Sequence, residues 1–208
     1  MGKILLILLI SLSFTKCKNN SNETEFNSSK IKDINEIVST VILEDSLRVL
    51  KNDNESKMFC EELTKLNIYI PEKRKENEPI TPPPPPSFNS ISIENLISYK
   101  IESQMFFTIK DSLGLLQNNL NPEKFKIEKK IAEKINLTTK EKEINKKEIG
   151  QSYNFYEMTI PIFSLNNRKA YVQLSNYCGH LCGHGEAIYL EKINGKWKII
   201  QKYRTWIS

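Results

Sequence analysis

The chain has 208 residues, 39% of them hydrophobic and 26% charged, which suits one medium globular domain and excludes a fibrous or wholly disordered chain. A formal charge of +5 is too mild for a nucleic-acid binder. The lysines are also interleaved with glutamates rather than clustered, so they form no polybasic membrane patch.

The first residues have the layout of an export signal: Lys3, an apolar run from Ile4 to Phe14, then Cys17 close behind. The run is too short to cross a bilayer as a helix, which needs about 20 apolar residues. The segment resembles the bacterial lipoprotein signal, in which a signal peptidase cuts just before a cysteine that is then diacylated. The resemblance implies a signal peptide over 1–16 and a lipidated Cys17 as the mature N-terminus. It also implies anchoring to a membrane of the cell envelope, on the periplasmic side or at the cell surface. The departure from the pattern is Lys16, where the family places a small residue.

Residues 17–30 are polar, with almost no aliphatic side chain to bury, and read as a disordered tether. From Ile31 the pattern changes. Ile31, Ile34, Ile37, Val38, Val41 and Ile42 recur at three and four residues, which predicts an amphipathic helix. Leu66, Ile68 and Ile70 alternate and end at Pro71, as in a short strand. Pro82 to Pro86 then favour a stiff polyproline segment, and about 71–90 reads as an exposed proline-rich loop.

"ILEDSLRVLKNDN" (Ile42 to Asn54) echoes "TIKDSLGLLQNNL" (Thr108 to Leu120), as either a duplicated unit or two ordinary helix starts. "NPEKF" (Asn121 to Phe125) carries a helix-start pattern, Asn as cap and Pro in the first turn. The Lys- and Glu-rich stretch that follows reads as a solvated helical face.

The last quarter is rich in Tyr, Phe, Ile, Val and Trp at period two. "SYNFYEMTIPIF", "RKAYVQLSNY", "EAIYLEKI" and "KWKIIQKYRTWI" predict four antiparallel strands, the last two joined by a turn at Asn194 and Gly195. Ala170, Val172 and Leu174 form one face, and Trp197, Ile199 and Gln201 another. The expected fold is α+β. A single domain over 31–208 is expected, in which a helical N-terminal half covers one face of a C-terminal four-stranded antiparallel β-meander.

"YCGHLCGHG" holds Cys178, His180, Cys182 and His184 at every second position. An extended strand would set the two cysteines about 13 Å apart at about 3.3 Å per residue. That is too far for a disulfide or a shared metal. A helix is opposed by Gly179, Gly183 and Gly185, so the segment must turn. Once it turns, the residues leave open a Cys178–Cys182 disulfide, a zinc or copper site on Cys178, His180, Cys182 and His184, free thiols, or a bond to Cys60. An exported protein meets an oxidising space, which joins close thiols unless a metal holds them.

The stretch from Thr159 to Ser208 resembles the tail of uncharacterised exported lipoproteins of the Bacteroidetes group. The resemblance rests on Pro161 and Phe163, the "YCGHLCGHG" loop, "NGKWKI" and "TWIS". In that group Cys178, Gly179, Leu181, Cys182, Gly183 and Gly185 match, while His180 and His184 fall on variable positions. This implies the disulfide rather than the metal, and no cofactor. The group carries no known activity to transfer.

Catalytic patterns are weak. A Ser-His-Asp set would need His180 or His184 with an arbitrary serine, and Glu61 and Glu62 are adjacent and face apart. There is no glycine-rich phosphate loop. The sequence therefore predicts a non-catalytic envelope protein with a membrane-inserted lipid and a protein or cell-wall partner, and with periplasmic metal binding as the alternative.

Overall fold

The computed structural model describes residues 27–52, 57–72, 88–179 and 182–208. The export signal, Cys17, most of the tether, Pro82 to Pro86 and His180 lie outside them. In chain order the elements are α1 (Ser28–Glu44), β1 (Met58–Cys60), β2 (Glu62–Thr64), β3 (Asn67–Tyr69), β4 (Ser90–Ser92), α2 (Ile93–Ser98), β5 (Lys100–Ile101), β6 (Gln104–Met105), α3 (Ser112–Gln117), β7 (Lys124–Lys126), α4 (Lys129–Ala132), β8 (Leu137–Thr138), α5 (Lys140–Glu148), β9 (Phe155–Met158), β10 (Ile162–Phe163), β11 (Lys169–Tyr177), β12 (Gly183–Ile193) and β13 (Lys196–Ile207).

Seven strands form one mixed sheet in the order β13-β12-β11-β9-β1-β8, with β10 sharing the β11 edge beside β9. This overturns the expected α+β arrangement. The fold is mixed α/β, and the sheet dominates. β1 and β8 come from the half expected to be helical, and β1 runs parallel to both β8 and β9. Strands of two or three residues are too short to carry a period of two, so the sequence pattern could not announce them. Among the described residues only α1 is longer than three turns, and no helix is long and apolar enough to cross a membrane.

Helix α1 starts at Ser28, so its first turn takes residues assigned to the tether. The Asn27 carboxamide oxygen accepts the Lys30 N–H at 2.8 Å and caps it. Ile34, Ile37, Val38 and Val41 are fully buried against the sheet, but Ile31 is 40% exposed. Two polar side chains share the inward face in its place. Asn35 donates to the Ile31 carbonyl and accepts from the Glu128 N–H, both at 2.9 Å. The Asp33 Oδ1 accepts from the Trp197 indole at 3.1 Å and from the Lys192 ammonium. Partnered in this way, polar groups are tolerated in a core.

The Asp-Ser-Leu echo is neither a duplication nor a pair of helix starts. Asp45 closes α1, with Ser46 and Arg48 at φ 51° breaking the helix. Asp111 instead opens α3, taking the Thr108 N–H at 2.8 Å and tying the Leu165 N–H at 2.9 Å. No helix begins at Asn121 either. It ends a 3₁₀ turn, and strand β7 follows on β2 with Phe125 turned inward between two lysines.

The antiparallel run β9, β11, β12, β13 appears as the C-terminal sequence predicts, but its first member is split. Pro161 has no N–H for the ladder, so β9 and β10 meet β11 separately. Asn194 and Gly195 turn with φ of 51° and 77°. Ala170, Val172, Leu174 and Trp197 face α1, as expected. The opposite face of β11 and β12 is buried as well: Tyr171 and Tyr189 are covered by Leu66, Ile68, Leu96 and Phe107. A register shift between Tyr189 and Leu190 skips Ile200, so Gln201 leaves the row that Trp197 and Ile199 begin.

Candidate functional site

Strands β11 and β12 stay in register to Tyr177 opposite Gly183, with Cys178 and Cys182 at the end of the hairpin. Cys178 and Cys182 are joined as a disulfide with their Cα atoms 4.9 Å apart, and the Cys178 N–H donates to the Cys182 carbonyl at 2.9 Å. Of the three glycines expected to make the turn, only Gly179 does so, at φ 101°. Gly183 and Gly185 lie in β12 and serve a different purpose. A Cβ on Gly185 would collide with the Trp206 indole nitrogen, and one on Gly183 would sit 3.1 Å from the same ring. The loop and the terminal "TWIS" therefore form one structure, with the two glycines making a bed for Trp206.

An aromatic row continues from that indole. Trp206 lies 5.8 Å from Tyr177, Tyr177 5.1 Å from Phe155, and Phe155 6.2 Å from Tyr153. The Tyr153 hydroxyl donates to the Gly179 carbonyl at 2.5 Å, holding the turn from below. Burial, and then the Glu157 charge, push the Tyr177 hydroxyl up to about 12. The sequence assigns no role to Tyr153, and marks Trp206 only as part of "TWIS", not as a partner of the loop. The only hint was the pairing of glycines with a distant tryptophan, which a linear pattern does not express.

In this state the thiolate ligands of the metal alternative are consumed, because each sulfur of Cys178 and Cys182 is bonded to the other. His184 pairs in register with Asn176 and Ile207. Among the described residues no three His, Cys, Asp or Glu side chains gather as a metal site.

A second polar cluster lies between β2, β8, β9 and α5. Glu157 is 1% exposed, and both of its oxygens lie 3.0 Å from the Lys140 ammonium. The Thr64 hydroxyl donates to Oε1 at 3.0 Å. Glu143 is equally buried and accepts from Thr138 at 2.5 Å and Lys146 at 2.8 Å, while its Oε2 takes no hydrogen bond. The Lys- and Glu-rich stretch is thus not one solvated helical face. It folds into β7, α4, β8 and α5, and one of its charges, Glu143, points inward.

Burial first, then the Glu157 charge, push the Cys60 thiol up to about 12, so it stays protonated and unreactive, and it is not bonded to the loop. The crevice beside it holds about 40 Å³, room for a water or two rather than a substrate.

The Lys140→Met change leaves Glu157 buried without its cation. It should cost about 2–3 kcal/mol in a urea titration, below the usual range for a broken buried pair because the Lys140 side chain is 49% exposed. Adding Glu157→Gln should restore most of the loss; a double variant as unstable as the single one would assign the defect to packing.

No protein-family model, no curated protein and no solved structure matches this chain.

Proposed function

We propose that the protein is a lipid-anchored, exported envelope protein that works as a binding or structural module rather than as a catalyst. The observation that carries this reading is the hairpin end closed by Cys178–Cys182 and braced by Tyr153. Such a bond suits the oxidising space reached by export. It fixes the shape of an exposed end of the sheet, which favours recognition over chemistry. The buried carboxylates Glu157 and Glu143 each hold a lysine, and the crevice that Glu157 and Lys140 line is too small for a substrate, which supports a structural role for them. The apolar run before Cys17 and the polar residues after it support the anchor.

The partner is an envelope protein or a cell-wall component. Fatty-acid labelling in a bacterial host tests the anchor. The wild-type chain should take up label and Cys17→Ala should not; label surviving that change overturns the reading.

A further inference from the structure

A cleft of about 270 Å³ opens between the start of α1, the end of α3 and the turn joining β10 to β11. Its chemistry centres on Asp33. That residue is 7% exposed, and its Oδ1 is taken by Lys192 and Trp197. Among the described residues none donates a hydrogen bond to its Oδ2, and the residue lines the cleft. Because Lys192 already balances the charge, Oδ2 is suited to accept from a neutral hydroxyl rather than to act as the sole counter-ion of a cation. Around it stand Asn27, Gln117 and Asn167, carboxamides that both donate and accept, as a hydroxyl does. Phe163, 6% exposed, lines the wall, with the Lys30 ammonium 6.0 Å from its ring centre. Lys30 closes one side, its ammonium bonded to Asn121 at 3.1 Å and held below the usual lysine range by burial.

We propose that this cleft binds a small hydroxyl-rich ligand of single-sugar size. The volume falls just under the roughly 300 Å³ at which pockets for drug-sized molecules begin. A buried carboxylate acceptor, amide side chains and an aromatic ring together match the alternating hydroxyl and C–H surfaces of a saccharide. The inference rests on the binding-module reading but not on the lipid anchor. Loss of fatty-acid labelling would leave it standing, and failure of the test below would leave the anchor standing.

The test is titration of the ¹⁵N-labelled full chain with glucose, galactose, mannose and N-acetylglucosamine, against glycine and inorganic phosphate. At least one sugar should saturably shift the amides of Gly114, Gln117 and Leu165. Asp33→Asn should weaken binding, but it also alters the bonds to Lys192 and Trp197. Gln117→Ala is the cleaner variant, since that side chain is exposed and has no hydrogen-bond partner among the described residues; it should weaken binding about fivefold to tenfold with the remaining spectrum unchanged. Absence of sugar-induced shifts, shifts unmoved by Gln117→Ala, or shifts caused only by glycine or phosphate would overturn the proposal.

Discussion

Replacing Trp197 with alanine should lower the stability of the protein by about 3–5 kcal/mol, the range for deleting a buried aromatic side chain. The indole is 3% exposed in the α1-side core and lies 5.8 Å from the Phe163 ring. It also donates to Asp33 and carries the Lys192 ammonium 5.2 Å from its ring centre. The alanine variant therefore opens a cavity and strips a donor from a buried carboxylate. Trp197→Phe keeps most of the volume and loses only the N–H, so it should cost distinctly less. Urea titration of both variants reads the difference; a loss under about 1 kcal/mol for the alanine variant would show that the indole does not anchor α1 to the sheet.

Gly185→Ala should expel Trp206 from its bed, because the new methyl would occupy the space of the indole nitrogen and lie 2.7 Å from the Thr205 hydroxyl. A cost of about 1–3 kcal/mol is expected for such overpacking. Trp197 and Trp206 are the only tryptophans in the chain, so a Trp197→Phe background leaves Trp206 as the sole reporter. In that background Gly185→Ala should move its emission to longer wavelength as the ring enters water. In a Trp206→Ala background the same glycine change should cost far less, which isolates the contact. An unchanged emission and an undiminished cost would sink the role given to the glycines.

The pairing of Gly183 and Gly185 with Trp206 also explains why two short motifs, far apart in the chain, occur together in the segment resembling the exported lipoproteins. The strand register brings Gly185 opposite Trp206 and Gly183 opposite Tyr177, and the two rings lie 5.8 Å apart. The cysteines close the turn from one end, and the indole covers the strand that leaves it.

Several elements were legible in the residues alone because their signals are local. The stripe from Ile31 to Ile42 marks α1 although Ile31 itself is exposed, the alternation through Ala170, Val172 and Leu174 marks β11, and Asn194 with Gly195 marks the last hairpin. Cys178 and Cys182 announced a closed loop because only a turn lets two cysteines at that spacing meet. What only the tertiary structure decided is whatever depends on partners distant in sequence. These include the parallel strands β1 and β8, too short for any period, and the burial of Asp33, Glu143 and Glu157, which the hydrophobic pattern would place in water. They also include the cleft beside Asp33. A hydrophobic period records which face of an element is apolar, but a buried charge or a glycine bed is set by a side chain that arrives from elsewhere in the chain.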